Sequence, residues 1–206
     1  MIKRTDKPVA APTRDVKTIF SKGDAVQVLP QVYEPADDTY LLLKAACKEV
    51  RSTDTVLEVG TGCGVIAKAL MKRARCVIAT DINPYAVMNA RLNGVNAVAA
   101  DLFGDLDYKF DLIVFNPPYL PTGSDTLNDW YAKALDGGAR GYEVTLAFIS
   151  RVQNYIAPHG RVLVLTSSIT RCSTVVRDMR CTFKSIKKVA EQKCFFETLY
   201  VLIGQN

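Results

Sequence analysis

A chain of 206 residues suffices for one domain with a sizeable core. Its 49% hydrophobic and 23% charged residues are ordinary for a globular protein, and no apolar run reaches the ~20 residues of a membrane span. The net charge of +5 suits an RNA-rich neighbourhood without requiring one.

The polar start, Met1 to Lys7, has no signal-peptide core, so the expected compartment is the cytoplasm. Cys47, Cys63, Cys76, Cys172, Cys181 and Cys194 form no CxxC pair, and His159 is the sole histidine. Reduced thiols and no metal site are expected. Residues 1–25, with Pro8, Pro12 and Gly23 among mixed charges, read as a flexible N-terminal arm, and 26–206 as a single domain.

Val32-Tyr33-Glu34-Pro35-Ala36-Asp37-Asp38-Thr39 leads into a helix through Tyr40 to Cys47, with Asp37 or Asp38 as its N-cap. The same polar cluster suits a lip over a ligand. Thr55 to Val59 is an apolar strand running into Gly60-Thr61-Gly62-Cys63-Gly64, and Val65 to Met71 continues as a helix. Strand, glycine-rich turn and helix begin a nucleotide-binding βαβ unit, with Glu58 at the strand end.

Cys76 to Thr80 is a second strand ending in Asp81, which lies 21 residues after Gly60. An acid there is placed to accept hydrogen bonds from two ribose hydroxyls. Pro84 opens a helix that Gly94 stops. Asn96 to Ala100 is a thin third strand ending in Asp101-Leu102, where an acid can reach an adenine amino group and Leu102 the ring.

Asp111 to Phe115 is a buried strand that two prolines end abruptly in Asn116-Pro117-Pro118-Tyr119. This rigid corner presents an amide, proline-fixed carbonyls and an aromatic ring. Such a set can hold a planar NH2 group by its two hydrogens and stack on its face. The loop 121–141, with Trp130, Asp136, Gly137-Gly138, Arg140 and Gly141, reads as functional. A helix over Glu143 to Tyr155, a turn at Pro158-His159-Gly160 and a strand over Arg161 to Thr166 follow. A basic helix from Thr170 to Arg180 and strands over Phe183 to Ala190 and Phe195 to Ile203 close the chain. Its basic end suits a solvated face, or contact with RNA or a ribosome-associated partner.

This alternation argues an α/β fold: a doubly wound, seven-stranded, mostly parallel sheet with an antiparallel C-terminal strand. Right-handed crossovers bring the glycine turn, Asp81, Asp101 and Asn116 to the carboxyl edge of that sheet, around an adenosine-containing cofactor. A dehydrogenase would need a proton relay, and His159 is misplaced for one. Methyl transfer needs alignment and desolvation of a nucleophile more than acid–base chemistry.

Glu58-Val59-Gly60-Thr61-Gly62-Cys63-Gly64, Thr80-Asp81-Ile82-Asn83-Pro84 and Asn116-Pro117-Pro118-Tyr119 resemble the class I methyltransferases acting on exocyclic or amide nitrogen. Val32 to Thr39 and Gly137-Gly138-Ala139-Arg140-Gly141-Tyr142-Glu143 are similar to the HemK branch shared by archaea and eukaryotes, release factor glutamine N5-methyltransferases. The resemblance runs from about residue 30 to the end and makes 26–206 a Rossmann-like methyltransferase domain. It implies S-adenosylmethionine as cofactor and the Gly-Gly-Gln glutamine of a class-1 translation release factor as substrate. It implies that Thr39, Glu58, Gly60, Gly62, Asp81, Asp101, Leu102 and Asn116 contact the cofactor. Asn116, Pro117, Pro118 and Tyr119 then address the amide. It further implies a small zinc-binding activator protein as a heterodimer partner.

The alternatives from the same corner are an N6-adenine methyltransferase on DNA or RNA, for which no target-recognition region is visible, and a protein lysine methyltransferase. A silent binding module is a further alternative, which intact Asn116, Asp81 and Glu58 argue against. The third strand should lie at a sheet edge without charge, proline or bulge, an invitation to a strand from the activator, with Val98 as an open edge donor.

Overall fold

The computed structural model describes residues 16–21, 23–122 and 129–206. It opens with an antiparallel hairpin, β1 (Lys17–Ser21) and β2 (Asp24–Val28), turned at Gly23. Helix α1 (Asp37–Glu49) follows, then β3 (Thr55–Val59), α2 (Val65–Met71), β4 (Cys76–Asp81), α3 (Pro84–Leu92) and β5 (Ala97–Ala99). The second half comprises β6 (Phe110–Phe115), α4 (Trp130–Lys133), α5 (Glu143–Val152), β7 (Ile156–Ser167), α6 (Cys172–Thr182), β8 (Ser185–Lys193) and β9 (Thr198–Gln205).

Strands apolar on both faces need cover on both faces. β3 is buried at every position and β6 at all but Asp111. Alternating side chains feed two cores. Val56, Leu112, Val114, Leu163 and Leu165 pack under α1, α2 and α3. Leu57, Val59, Ile113, Val162 and Val164 pack under α5 and α6. The strand order is β5-β4-β3-β6-β7-β9-β8, parallel throughout except for β9, which is antiparallel to both neighbours. This is the doubly wound, seven-stranded sheet expected. The chain winds outward from β3 to β5, then returns to β6 beside β3. That reversal opens a crevice at the carboxyl ends of β3 and β6.

Several local expectations change. Within the arm expected over 1–25, Lys17–Ser21 and the start of β2 pair as strands: Val26 and Val28 are core residues, and Asn89 of α3 and its C-cap Asn93 bond the backbone of Gln27 and Leu29. Residues 1–15 lie outside the described residues, as do 123–128 of the loop 121–141. Ala36, not Asp37 or Asp38, is the α1 N-cap, without a side-chain cap bond, and Asp38 is spent elsewhere. Pro158-His159-Gly160 is not a turn between elements. It forms a bulge inside β7, where His159 takes φ 64 while the pairing jumps from Phe110↔Ile156 to Leu112↔Arg161. β8 runs on to Lys193, which leaves Cys194 to Glu197 as the turn before β9. Among the described residues no helix is long and apolar enough to cross a membrane.

Candidate active site

The crevice is a cavity of about 620 Å3, lined by the glycine turn, the ends of β4 and β6, the start of α1 and α4. Gly60 and Gly62 take φ 64 and 55, a left-handed course that costs a residue with a Cβ. The turn leaves a surface a ligand can approach through backbone. Gly62 N donates to Asp81 Oδ2 and Asn83 N to Asp81 Oδ1, both at 2.8 Å. Asp81 is thereby fixed at the end of β4, where it lines the cavity. Burial raises its carboxyl pKa, and those backbone donors oppose the rise.

Glu58 is deeper. Its Oε2 accepts from Thr61 Oγ1 at 2.6 Å and from Ala67 N, in the first turn of α2, at 2.9 Å. Burial pushes its pKa up to about 8 against those two bonds. Glu58 therefore builds the turn that borders the cavity as well as lining it. Thr39 lines the cavity from α1, and Asp101 and Leu102 line it beyond β4. Leu102 takes φ 55, and its carbonyl accepts from Thr80 Oγ1 at 2.7 Å, which fixes this corner.

At the end of β6, Asn116 Nδ2 donates to Asp38 Oδ2 at 3.1 Å. A carboxyl group that accepts from Tyr33 Oη, Thr39 N and Thr39 Oγ1 as well leaves the amide only one orientation, nitrogen toward Asp38. Asn116 Oδ1 faces the other way and is a buried acceptor without a partner. Buried acceptors are normally satisfied, so this one is a place for a donor from outside the chain. Pro117, Pro118 and Tyr119 continue the wall beside it. Burial, then the acids Asp38 and Glu197, hold the Tyr119 phenol far above its usual range, so Tyr119 serves as a neutral ring.

Residues 129–141 of the loop brace this wall. Leu120 N donates to Leu135 O and Gly137 N to Leu120 O. Gly141, at φ 80, lies so close that a Cβ there would meet Tyr119 O at 2.5 Å. Trp130, Lys133 and Asp136 line the cavity from the same segment, and Trp130 N is bonded to Gln31 Oε1. All predicted site residues thus border one cavity. From the sequence alone Asp38 reads as a candidate helix cap, and Tyr33 only as one member of the lip. Val32 to Thr39, read as a lip, was the available signal.

The chain matches the family model described as methyltransferase small domain over residues 34–197. A Methanocaldococcus jannaschii protein with the provisional name protein N5-glutamine methyltransferase is 41% identical, covering 88% of this chain and 95% of that protein. Human methyltransferase HEMK2 is 32% identical, with 83% and 88% covered. Among solved structures, the E. cuniculi Mtq2-Trm112 complex, described as responsible for methylating the translation termination factor eRF1, matches with a TM-score of 0.74. Its identity is 32%, covering 85% of this chain and 99% of the matched chain.

Proposed function

We propose that this chain, which belongs to the methyltransferase small domain family, methylates the side-chain amide nitrogen of the glutamine in the Gly-Gly-Gln loop of a translation release factor. The observation that carries this reading is Asn116 Oδ1, a buried acceptor without a partner in the cavity wall, turned by Asp38. S-adenosylmethionine, when bound, supplies a methyl group already activated by its sulfonium.

The residues present fit that cofactor. Asp81, held at the cavity wall by backbone donors, addresses the ribose hydroxyls, Asp101 and Leu102 address the adenine, and Gly60 and Gly62 admit the ligand to the backbone. Thr39 and Glu58 complete the pocket. An amide nitrogen is a poor nucleophile because its lone pair is delocalised. Accepting its hydrogens at Asn116 Oδ1 and the Pro117 carbonyl favours a pyramidal nitrogen and stabilises the positive charge it develops. Pro118 holds the corner rigid, and Tyr119 covers the planar face of the amide.

The relatives' names support glutamine as acceptor. The eRF1-methylating complex supports a release-factor substrate and a second subunit, here a small zinc-binding activator. The test supplies methyl-labelled S-adenosylmethionine with a release factor or with oligonucleotides. Label on the Gly-Gly-Gln glutamine is expected; label on adenine, or on lysine, overturns the reading.

A further inference from the structure

We propose that the turn between β8 and β9 is a docking tip for the protein that carries the acceptor glutamine. Its tip residues, Phe195 and Phe196, are 92% and 87% exposed, far more than any other large apolar side chain of the described residues except Phe20 at 77%. Their rings meet edge to face at 4.6 Å between centroids. An exposed apolar side chain is ordinary by itself. Two adjacent phenylalanines displayed together in water on a fixed turn match the aromatic anchors that dominate binding energies at protein interfaces.

The neck of the turn is fixed. Cys194 N donates to Glu197 O at 2.8 Å across its neck. Ser167 Oγ donates to Glu197 Oε2, and Thr198 N to Ser168 Oγ at 2.8 Å, tying the turn to the end of β7. Cys194 Sγ contacts Asp37 Oδ2, one residue before Asp38. Little ordering is therefore left for a partner to impose.

Position selects the occupant. β8 runs parallel to β7, so its end lies at the carboxyl edge of the sheet, where the cavity opens. Glu197, the residue after Phe196, lines the cavity, and its charge acts on Tyr119. A glutamine presented on a folded protein brings the surrounding surface of that protein against this rim. The β5 edge, where an added strand could pair, lies at the opposite end of the strand order. Ile169, whose N–H is bonded to the same Ser167 hydroxyl that holds Glu197, is exposed as well, and the exposed Lys193 precedes the turn. The complementary surface is an apolar pocket with an acidic rim, outside the Gly-Gly-Gln loop itself. This inference rests on the release-factor reading above.

The test compares the full chain, co-expressed with its activator, with the double variant Phe195→Ser, Phe196→Ser on an intact class-1 release factor. KM for the factor should rise about tenfold or more, with kcat at saturation and S-adenosylmethionine affinity unchanged. A short peptide carrying the Gly-Gly-Gln loop fills only the cavity, and its rate should be equal in both enzymes. An unchanged KM for the intact factor, with the parent active, overturns the docking role alone. Loss of the activator on co-purification, or a parental dimer that the variant turns into a monomer, overturns it by assigning the tip to another partner. A parent that labels no release factor overturns the functional reading as well.

Discussion

Asn116 concentrates the chemistry that this site offers, and Asp38 determines what Asn116 can do. Asn116→Ala removes the acceptor yet leaves the Pro117–Tyr119 corner in place. We expect kcat to fall about 10²-fold or more, as on loss of one preorganised charge-stabilising group, with S-adenosylmethionine affinity changed only modestly. Single-turnover rates beside calorimetry separate the two, and turnover within about tenfold of the parent would remove Asn116 from its role. Asn116 was legible because its motif is contiguous. Asp38 was not, because its partner lies 78 residues away and nothing local distinguishes it from a helix cap. Glu58 carries a second prediction. The folded chain keeps its proton up to about pH 8, whereas the unfolded chain releases it near its ordinary 4.5. Its contribution to stability is thus complete below that lower value and is lost as pH rises through the window between them. Glu58→Gln keeps an acceptor for Thr61 and Ala67 but removes the titration. Its unfolding temperature relative to the parent should therefore rise between about pH 5 and about pH 9. Parallel pH profiles for variant and parent would contradict this assignment.

Among the elements, those announced by local chemistry were legible: the strand, glycine turn and helix of β3 to α2, Pro84 opening α3, and the proline-terminated β6. Those decided by distant contacts were not. β1 and β2 are short and mixed in charge, and they are ordered by side chains of α3. β7 contains Pro158 and Gly160, which read as breakers until the bulge places them in the strand. β5 was correctly expected at the sheet edge, but its open donors are not where they were sought. Ala79 N donates to Asn96 O and Ala100 N to Asp81 O. In a parallel ladder that alternation turns Val98 N–H toward β4, and the N–H groups of Ala97 and Ala99 outward. Val98→Pro would break the sheet itself. Ala99→Pro removes an outward donor without touching the ladder, so it should leave the unfolding temperature near that of the parent and abolish co-purification with the activator. A variant that retains its partner in full would exclude strand addition at this edge.

Across the whole molecule, the stretch between the hairpin and α1 acts as a strap that joins the N-terminal end to the cavity. Its hairpin end is secured by Asn89 of α3 and by Asn93, the C-cap of that helix. Asn89, fully buried, accepts from Leu29 N at 2.8 Å and donates to Gln27 O at 2.7 Å. Asn93 bonds Gln27 in both senses and also donates to Cys63 O in the glycine turn. Further along, Asn83 Nδ2 holds Gln31 O, and Tyr33 Oη reaches Asp38. The hairpin, α3, the glycine turn and Asn116 therefore form one connected polar framework around the cavity. Asn89→Ala leaves Leu29 N–H buried without its acceptor, while Gln27 O keeps Asn93. The cost should be about 2 kcal/mol, or about 4–8 °C in unfolding temperature for a domain of this size. Because the strap borders the cavity, S-adenosylmethionine affinity should fall several-fold although Asn89 itself does not line it. Amide exchange should quicken in β2 and at Leu29 while β3 and β6 keep their protection, since local opening follows the contacts that are lost. An unfolding temperature within about 1 °C of the parent, with β2 exchange unchanged, would show that the hairpin is held by its apolar face alone.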